Sequence, residues 1–219
     1  MSQYIEKIKN IFPIVDQEQI DYFQLIYPYF TEVKNKKVLE IGAYKGWHTA
    51  IIEDYQPSHI TCIEPHEEMC KILNNNFSNV EVIQDDIFQY LEKPRNFDVV
   101  VCCGVLYHFH SPLYLLELIA NRINPEVVII ETTTGAKERD RTVAFNHAWV
   151  SIEENMNTGG ARFSIDGWKS IDLACQYNQS VLDYAMNVLG YKLSNEINLY
   201  QKTTFLSKKD SLLSVWKRK

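Results

Sequence analysis

Between residues 36 and 131 the apolar positions fall into short β-branched runs separated by stretches with helical spacing. The runs at 37–41, 59–64, 80–83, 97–103 and 126–131 predict strands. The intervals at about 47–55, 66–75 and 112–123 predict helices, the last begun by Ser111-Pro112, with serine as N-cap and proline at the first helical position. Strict alternation of this kind predicts an α/β fold with a parallel sheet and right-handed crossovers. The flanks follow other patterns. Residues 1–34 read as a helical extension, with Ile20, Phe23, Ile26 or Tyr27, and Phe30 at helical spacing and Pro28 ending or bending the helix. It would cover the sheet or act as a lid. Residues 132–165 break the rhythm with Thr132-Thr133-Thr134-Gly135, the run Lys137-Glu138-Arg139-Asp140-Arg141, and Gly159-Gly160. That length exceeds an ordinary connection and predicts a functional loop or inserted lid. A helix at about 177–189, closed by Gly190, precedes two strands at 191–199 and 211–217.

The most informative stretch is Val38-Leu39-Glu40-Ile41-Gly42-Ala43-Tyr44-Lys45-Gly46-Trp47. It predicts a buried strand, a glycine turn and a helix, a geometry that brings backbone close to a ligand. Tyr44 and Trp47 stand where a dinucleotide fingerprint needs glycine, and no Gly-Lys-Ser/Thr follows, so neither an NAD site nor a P-loop is indicated. Further acids recur at strand ends. Glu64, followed by Pro65, ends the second strand 24 residues after Glu40. At the tip of a second strand in a doubly wound sheet, an acid hydrogen-bonds ribose hydroxyls. The third strand ends at Asp85-Asp86-Ile87, and the fourth runs into Gly104-Val105-Leu106-Tyr107-His108-Phe109-His110-Ser111-Pro112.

Taken together these strings resemble the class I S-adenosylmethionine (SAM) dependent methyltransferases. Glu40, Gly42 and Gly46 match their E/D-x-G-x-G-x-G motif, with Tyr44 replacing the middle glycine. G-V-L-Y-H with its following proline resembles motif IV of the same superfamily and also the tRNA wobble-uridine carboxymethyltransferases. The length of 219 residues predicts a single domain over 1–219, of which the resemblance covers about 37–131 by motif and 177–217 by topology. Its fold would be a Rossmann-like seven-stranded sheet, order 3-2-1-4-5-7-6, with helices on both faces and the N-terminal helical extension as a cap. It implies SAM as cofactor, bound by Glu40, Gly42, Ala43, Gly46, Glu64, Pro65, Asp86, Ile87 and Gly104. Glu40 would orient the turn or meet the ammonium group through water. Glu64 would take the ribose, and Asp86, rather than Asp85, the adenine. Tyr107 and His108 would face the transferred methyl, with His108 preferred over His110 as a base. The segment 132–165 would form the other wall, with Arg141, His147, Trp149 and Arg162 as candidates to meet substrate.

Composition narrows the partners. The net charge is −6 and the basic residues are dispersed, the densest run being Lys217-Arg218-Lys219, which argues against a broad nucleic-acid surface. A small-molecule O or N acceptor is therefore the first expectation, and a tRNA substrate, or a non-catalytic SAM-binding subunit, the alternatives. Five cysteines without a C-x-x-C pair support neither a zinc site nor a disulfide framework. No run reaches the ~18 apolar residues of a membrane span, and the N-terminus lacks an apolar h-region. A cytoplasmic location, with no metal and no membrane partner, is the expectation.

Overall fold

The computed structural model of the chain describes residues 3–109, 111–133, 149–152, 173–176, 179–199 and 211–219. The strands are β1 (Lys37–Ile41), β2 (His59–Ile63), β3 (Val80–Ile83), β4 (Val99–Cys103), β5 (Val127–Thr133), β6 (Trp149–Ile152), β7 (Leu173–Gln176), β8 (Tyr191–Asn198) and β9 (Ser211–Arg218). The helices are α1 (Gln3–Ile11), α2 (Gln17–Ile26), α3 (Trp47–Asp54), α4 (Glu67–Asn76), α5 (Ile87–Tyr90), α6 (Pro112–Leu118) and α7 (Gln179–Val188). Seven strands form one sheet in the order β3-β2-β1-β4-β5-β9-β8. Its first five members are parallel, and β9 and β8 join antiparallel. Counted along the sheet this is 3-2-1-4-5-7-6, the expected order.

Period-two alternation splits the core into two layers. Val38, Val99, Val101, Val127 and Ile129 face a cluster built with α1, α2, α3 and α4. Leu39, Ile41, Val100, Cys102, Val128 and Ile130 face the cluster built with α5, α6 and α7. Strands buried on both faces read as continuous apolar runs, as parallel strands do when helices cover both sides.

The N-terminal helices belong to the first layer. Asp16 and Gln19 form a reciprocal capping box that starts α2. Phe23, Ile26, Phe30 and Val33 are fully buried. Tyr27 stacks between Tyr4 and Tyr55, with ring centroids 4.4 and 4.5 Å apart, and its hydroxyl donates to Asp54 at 2.7 Å. Lys7 pairs with Glu53 of α3 and lies 4.3 Å over the Phe77 ring.

Several boundaries differ from the sequence reading. The N-terminal stretch is α1, α2 and a 3-10 segment (Tyr27–Val33): α1 ends at Ile11 ahead of Pro13, the Asp16 cap starts α2, and Pro28 sits at the start of the 3-10 segment. β4 begins two residues late, since Asp98 caps the edge, accepting the Lys37 N–H with its carboxylate at 2.8 Å. β5 runs on to Thr133 because β9 pairs with it that far. The first two residues of the expected 132–165 insertion are therefore strand. The helix from Pro112 is α-helical only to Leu118 and then widens into a π turn (Ile119–Ile123) ended by Asn124 at φ +53°. Ser111 precedes that helix but makes no side-chain cap bond. α5 was not foreseen, being a single turn. β6 pairs with β7 in a separate hairpin, which puts Trp149 opposite Gln176. His110, Arg141, His147 and Arg162, with most of 132–165, lie outside the described residues.

Candidate active site

The C-terminal ends of β1 and β4 diverge at the point where the strand order reverses, the usual place for a ligand in an open α/β sheet. The turn after β1 is built from left-handed residues. Gly42 has φ +68°, Tyr44 +52° and Gly46 +96°. The Gly42 N–H donates to the Ile63 carbonyl at 2.9 Å, which ties the turn to β2, and the Gly46 N–H closes onto the Ala43 carbonyl at 2.9 Å. Ala43 itself is buried. A Cβ on Gly42 would stand 2.7 Å from Val105 Cγ2, and one on Gly46 would enter the Phe77 ring at the end of α4. Backbone conformation and protein packing therefore both oppose a side chain at either position. Tyr44 holds a left-handed conformation at a cost of ~1–2 kcal/mol for an L-residue.

Carboxylates mark three strand ends on the first half of the sheet. Glu40 is buried and accepts from Thr49 Oγ1 at 2.7 Å and from Cys62 Sγ at 3.4 Å. Burial pushes its carboxyl up to about 7, against the opposing pull of those two donors. These bonds tie β1 to α3 and β2. Glu64 is buried just past β2 and accepts the backbone N–H groups of Tyr44 at 2.9 Å and His66 at 3.0 Å. Burial raises its carboxyl while the two amides oppose the shift. Each oxygen keeps a further lone pair. Beyond the half-buried Pro65, His66 Nδ1 is buried without a partner among the described residues. Asp86 is the N-cap of α5: its Oδ1 accepts from Phe88 N at 2.8 Å and Gln89 N at 3.3 Å, leaving Oδ2 outside the cap. Asp85 turns back to accept the Asp86 N–H at 2.8 Å. Ile87 is buried beside them.

The second half of the site lies past β4. Gly104 has φ +71°, and its N–H donates to the Glu131 carbonyl at 2.9 Å. A 3-10 turn (Leu106–His108) follows, with Tyr107 half-buried and His108 exposed, their rings 4.4 Å apart. This turn lies against β5 and β7. β7 (Leu173–Gln176) lies beyond the 132–165 segment expected as this wall, most of which is outside the described residues. Phe88 links the mouth of the site together, edge-on to Phe109 at 5.4 Å and stacked on Tyr114 at 5.8 Å.

Three residues that the sequence reading did not single out complete this half. Glu131, near the end of β5, is buried, and Ser211 of β9 donates to its Oε1. Its Oε2 lies 3.5 Å from where a Cβ on Gly104 would be. Tyr22 of α2 is buried, with its hydroxyl 3.4 Å from His48 Nε2. Burial raises the Tyr22 phenol well above its ordinary value, and the nearby Glu131, Cys103 and Tyr107 push it the same way. The packing around the His48 ring, stacked on Phe30, pushes that imidazole down to about 4, so it is neutral at neutral pH. Glu131 had a usable signal: it closes the apolar run of a predicted parallel strand, at the same sheet edge as Gly42 and Gly104. Tyr22 and His48 had none, being single polar residues in helical patterns.

The chain matches the family model described as a methyltransferase domain over residues 16–171. It is 26% identical over 140 residues to a tRNA U34 carboxymethyltransferase of Campylobacter lari, covering 61% of this chain and 48% of that protein. It is 27% identical over 122 residues to the Trichodesmium erythraeum protein of the same name, covering 50% and 35%. The chain thus spans about half or less of the length of these curated relatives. Its fold is similar to an S-adenosylmethionine dependent methyltransferase from Mesorhizobium loti, with TM-score 0.61 and 13% identity over 90% of this chain and 98% of that one. It is also similar to DhpI in a complex with SAM and HEP, with TM-score 0.61 and 15% identity over 99% and 94%. At such identities the structural likeness is one of fold.

Proposed function

The chain belongs to the methyltransferase-domain family as a class I SAM-dependent methyltransferase, and from that premise we propose that it transfers the methyl group to an oxygen or nitrogen of a small-molecule acceptor. One observation supports the siting above all: three left-handed residues, Gly42, Tyr44 and Gly46, share a sheet edge with the strand-end acids Glu64 and Asp86.

The residues present fit the cofactor. Glu64 and His66 Nδ1, the latter without a partner among the described residues, would take ribose hydroxyls, Asp86 Oδ2 and buried Ile87 suit an adenine edge and face, and Gly104 leaves room at the methionine end. Bound SAM supplies a methyl already activated by its sulfonium. The chain's share is alignment of acceptor and donor, which can lower the barrier by ~7–11 kcal/mol. Tyr107 shields the reacting centre and orients the acceptor. His108, at the exposed rim, takes a proton where the acceptor must lose one, a contribution of ~10²–10⁴-fold.

Titration calorimetry with SAM and S-adenosylhomocysteine tests the cofactor site, and absence of binding would refute the proposal. Mass spectrometry of candidate acceptors then reads the gain of one methyl group.

A second reading has support of its own. The curated relatives are tRNA U34 carboxymethyltransferases, and G-V-L-Y-H is the string that resembles them. Incubation with tRNA and detection of a carboxymethyl rather than a methyl gain would favour it. The acidic net charge of −6 favours the small molecule.

A further inference from the structure

Glu131 is a carboxylate where the fold calls for a hydrocarbon. Along β5, Val127 and Ile129 face the layer formed by α1 to α4, and Glu131 is the next residue of that stripe. The same side of β4 presents Val101 and Cys103, and Cys103 is the register partner of Glu131. Burying a carboxylate in such a layer is costly unless something answers its charge. Oε1 takes the Ser211 hydroxyl. Oε2 stands over Gly104, whose missing side chain leaves the space in front of it open. Val105, next along, packs against Gly42. The free side of the carboxylate therefore faces the seam between β1 and β4. The Tyr22 phenol, 3.4 Å from His48 Nε2, is buried in the same layer as Val101, Cys103 and Ile129, the stripe that Glu131 continues, and the Glu131 charge adds to the burial that raises it. The N-terminal helices thus roof the carboxylate.

Resting on the methyltransferase reading, we propose that Glu131, roofed by Tyr22, faces the transferred methyl and accepts the hydrogen bond of a neutral or cationic O–H or N–H acceptor. The negative charge of Glu131 repels an anionic acceptor and attracts a cationic one. Tyr22 and its helix keep water away, which strengthens the field of the carboxylate. His108 then serves the rim of the site and Glu131 its interior.

A carboxylate at this place attracts a sulfonium and is indifferent to a thioether. The test is therefore the ratio of SAM to S-adenosylhomocysteine affinity, measured by calorimetry at mildly alkaline pH. E131Q, nearly isosteric, should lower that ratio by about tenfold, a Coulombic effect of the size expected for partly buried charges. E131D keeps the charge and should retain most of the ratio, which separates charge from folding. Tyr22→Ala should make the ratio fall as salt is added, since an opened roof admits screening. On the S-adenosylhomocysteine complex of the unaltered protein, tyramine should bind more tightly than 4-hydroxyphenylacetate, and E131Q should erase that preference. An unchanged ratio in E131Q, or tighter binding of the acid, would overturn the proposal. Failure of the unaltered protein to bind S-adenosylhomocysteine would instead overturn the methyltransferase reading beneath it.

Discussion

The two halves of the site are built differently. On the proposed cofactor side, the acids just past β2 and β3 are held by backbone amides: Glu64 by those of His66 and Tyr44, Asp86 by those of Phe88 and Gln89. On the acceptor side, the partners come from far apart. Glu131 meets Ser211 across 80 positions and Tyr22 meets His48 across 26. A loop that binds through backbone geometry can be specified locally, whereas a wall of buried polar side chains must be assembled by the fold. The difference implies that the glycine turn of the first half is damaged through conformation and the wall of the second half through charge.

The largest expected effect is at Gly46. Gly46→Ala combines a left-handed φ of +96° with a Cβ driven into Phe77. Conformational strain of ~1–2 kcal/mol adds to overpacking of ~1–3 kcal/mol. Denaturant unfolding should show a loss of about 3 kcal/mol together with lost SAM binding. A stable, binding-competent variant would mean that the turn is not fixed by its own backbone.

Glu64→Ala comes next. Losing charge-assisted bonds worth ~1.5–3 kcal/mol should weaken SAM ten- to a hundredfold by calorimetry. An effect within twofold would remove Glu64 from the ribose site.

Glu40 sharpens the comparison through pH. Burial raises its carboxyl from the ordinary 4.5 to about 7 in the folded chain. The folded state then holds more protons than the unfolded state between these values, so stability falls as pH rises through that window. Glu40→Gln removes the fall. Its stability should match the parent protein below the window and exceed it above by roughly 1–3 kcal/mol, read from urea midpoints across pH. A parallel pH dependence in both proteins would show that the Thr49 and Cys62 donors hold the carboxyl near its ordinary value.

Tyr44→Gly should do least. Relief of left-handed strain at φ +52° is offset by the ~0.5–1 kcal/mol that glycine's freedom costs on folding. Stability should stay within about 0.5 kcal/mol and SAM affinity should be equal or better. Lost affinity would assign the Tyr44 ring itself to the pocket.

The strand and helix periods, the glycine turn and the strand-end acids of the cofactor side were readable from sequence. The bounds of β1 and β3 came out to the residue, and the order of the seven strands is the one that the family resemblance implied. Element ends were less readable where a distant partner decides them. β5 is extended by β9, β4 is trimmed by the cap that Asp98 makes with Lys37, and the α6 helix is widened into a π turn before Asn124.

His108 and Glu131 show where such reading stops. A histidine in a family-like string stood out in sequence, yet its side chain is exposed at the rim. A glutamate at the end of an apolar run looked like the end of a strand, yet it is enclosed near Gly104, Tyr22 and Ser211. By itself the sequence determined the parallel sheet, its turn and the acids at its edge, because backbone periodicity and amide capping act over a few residues. Only the tertiary structure decided which polar groups are taken out of water together. That choice depends on an antiparallel strand returning from the far end of the chain and on an N-terminal helix folding over the sheet, and neither leaves a local mark on the residues it brings together.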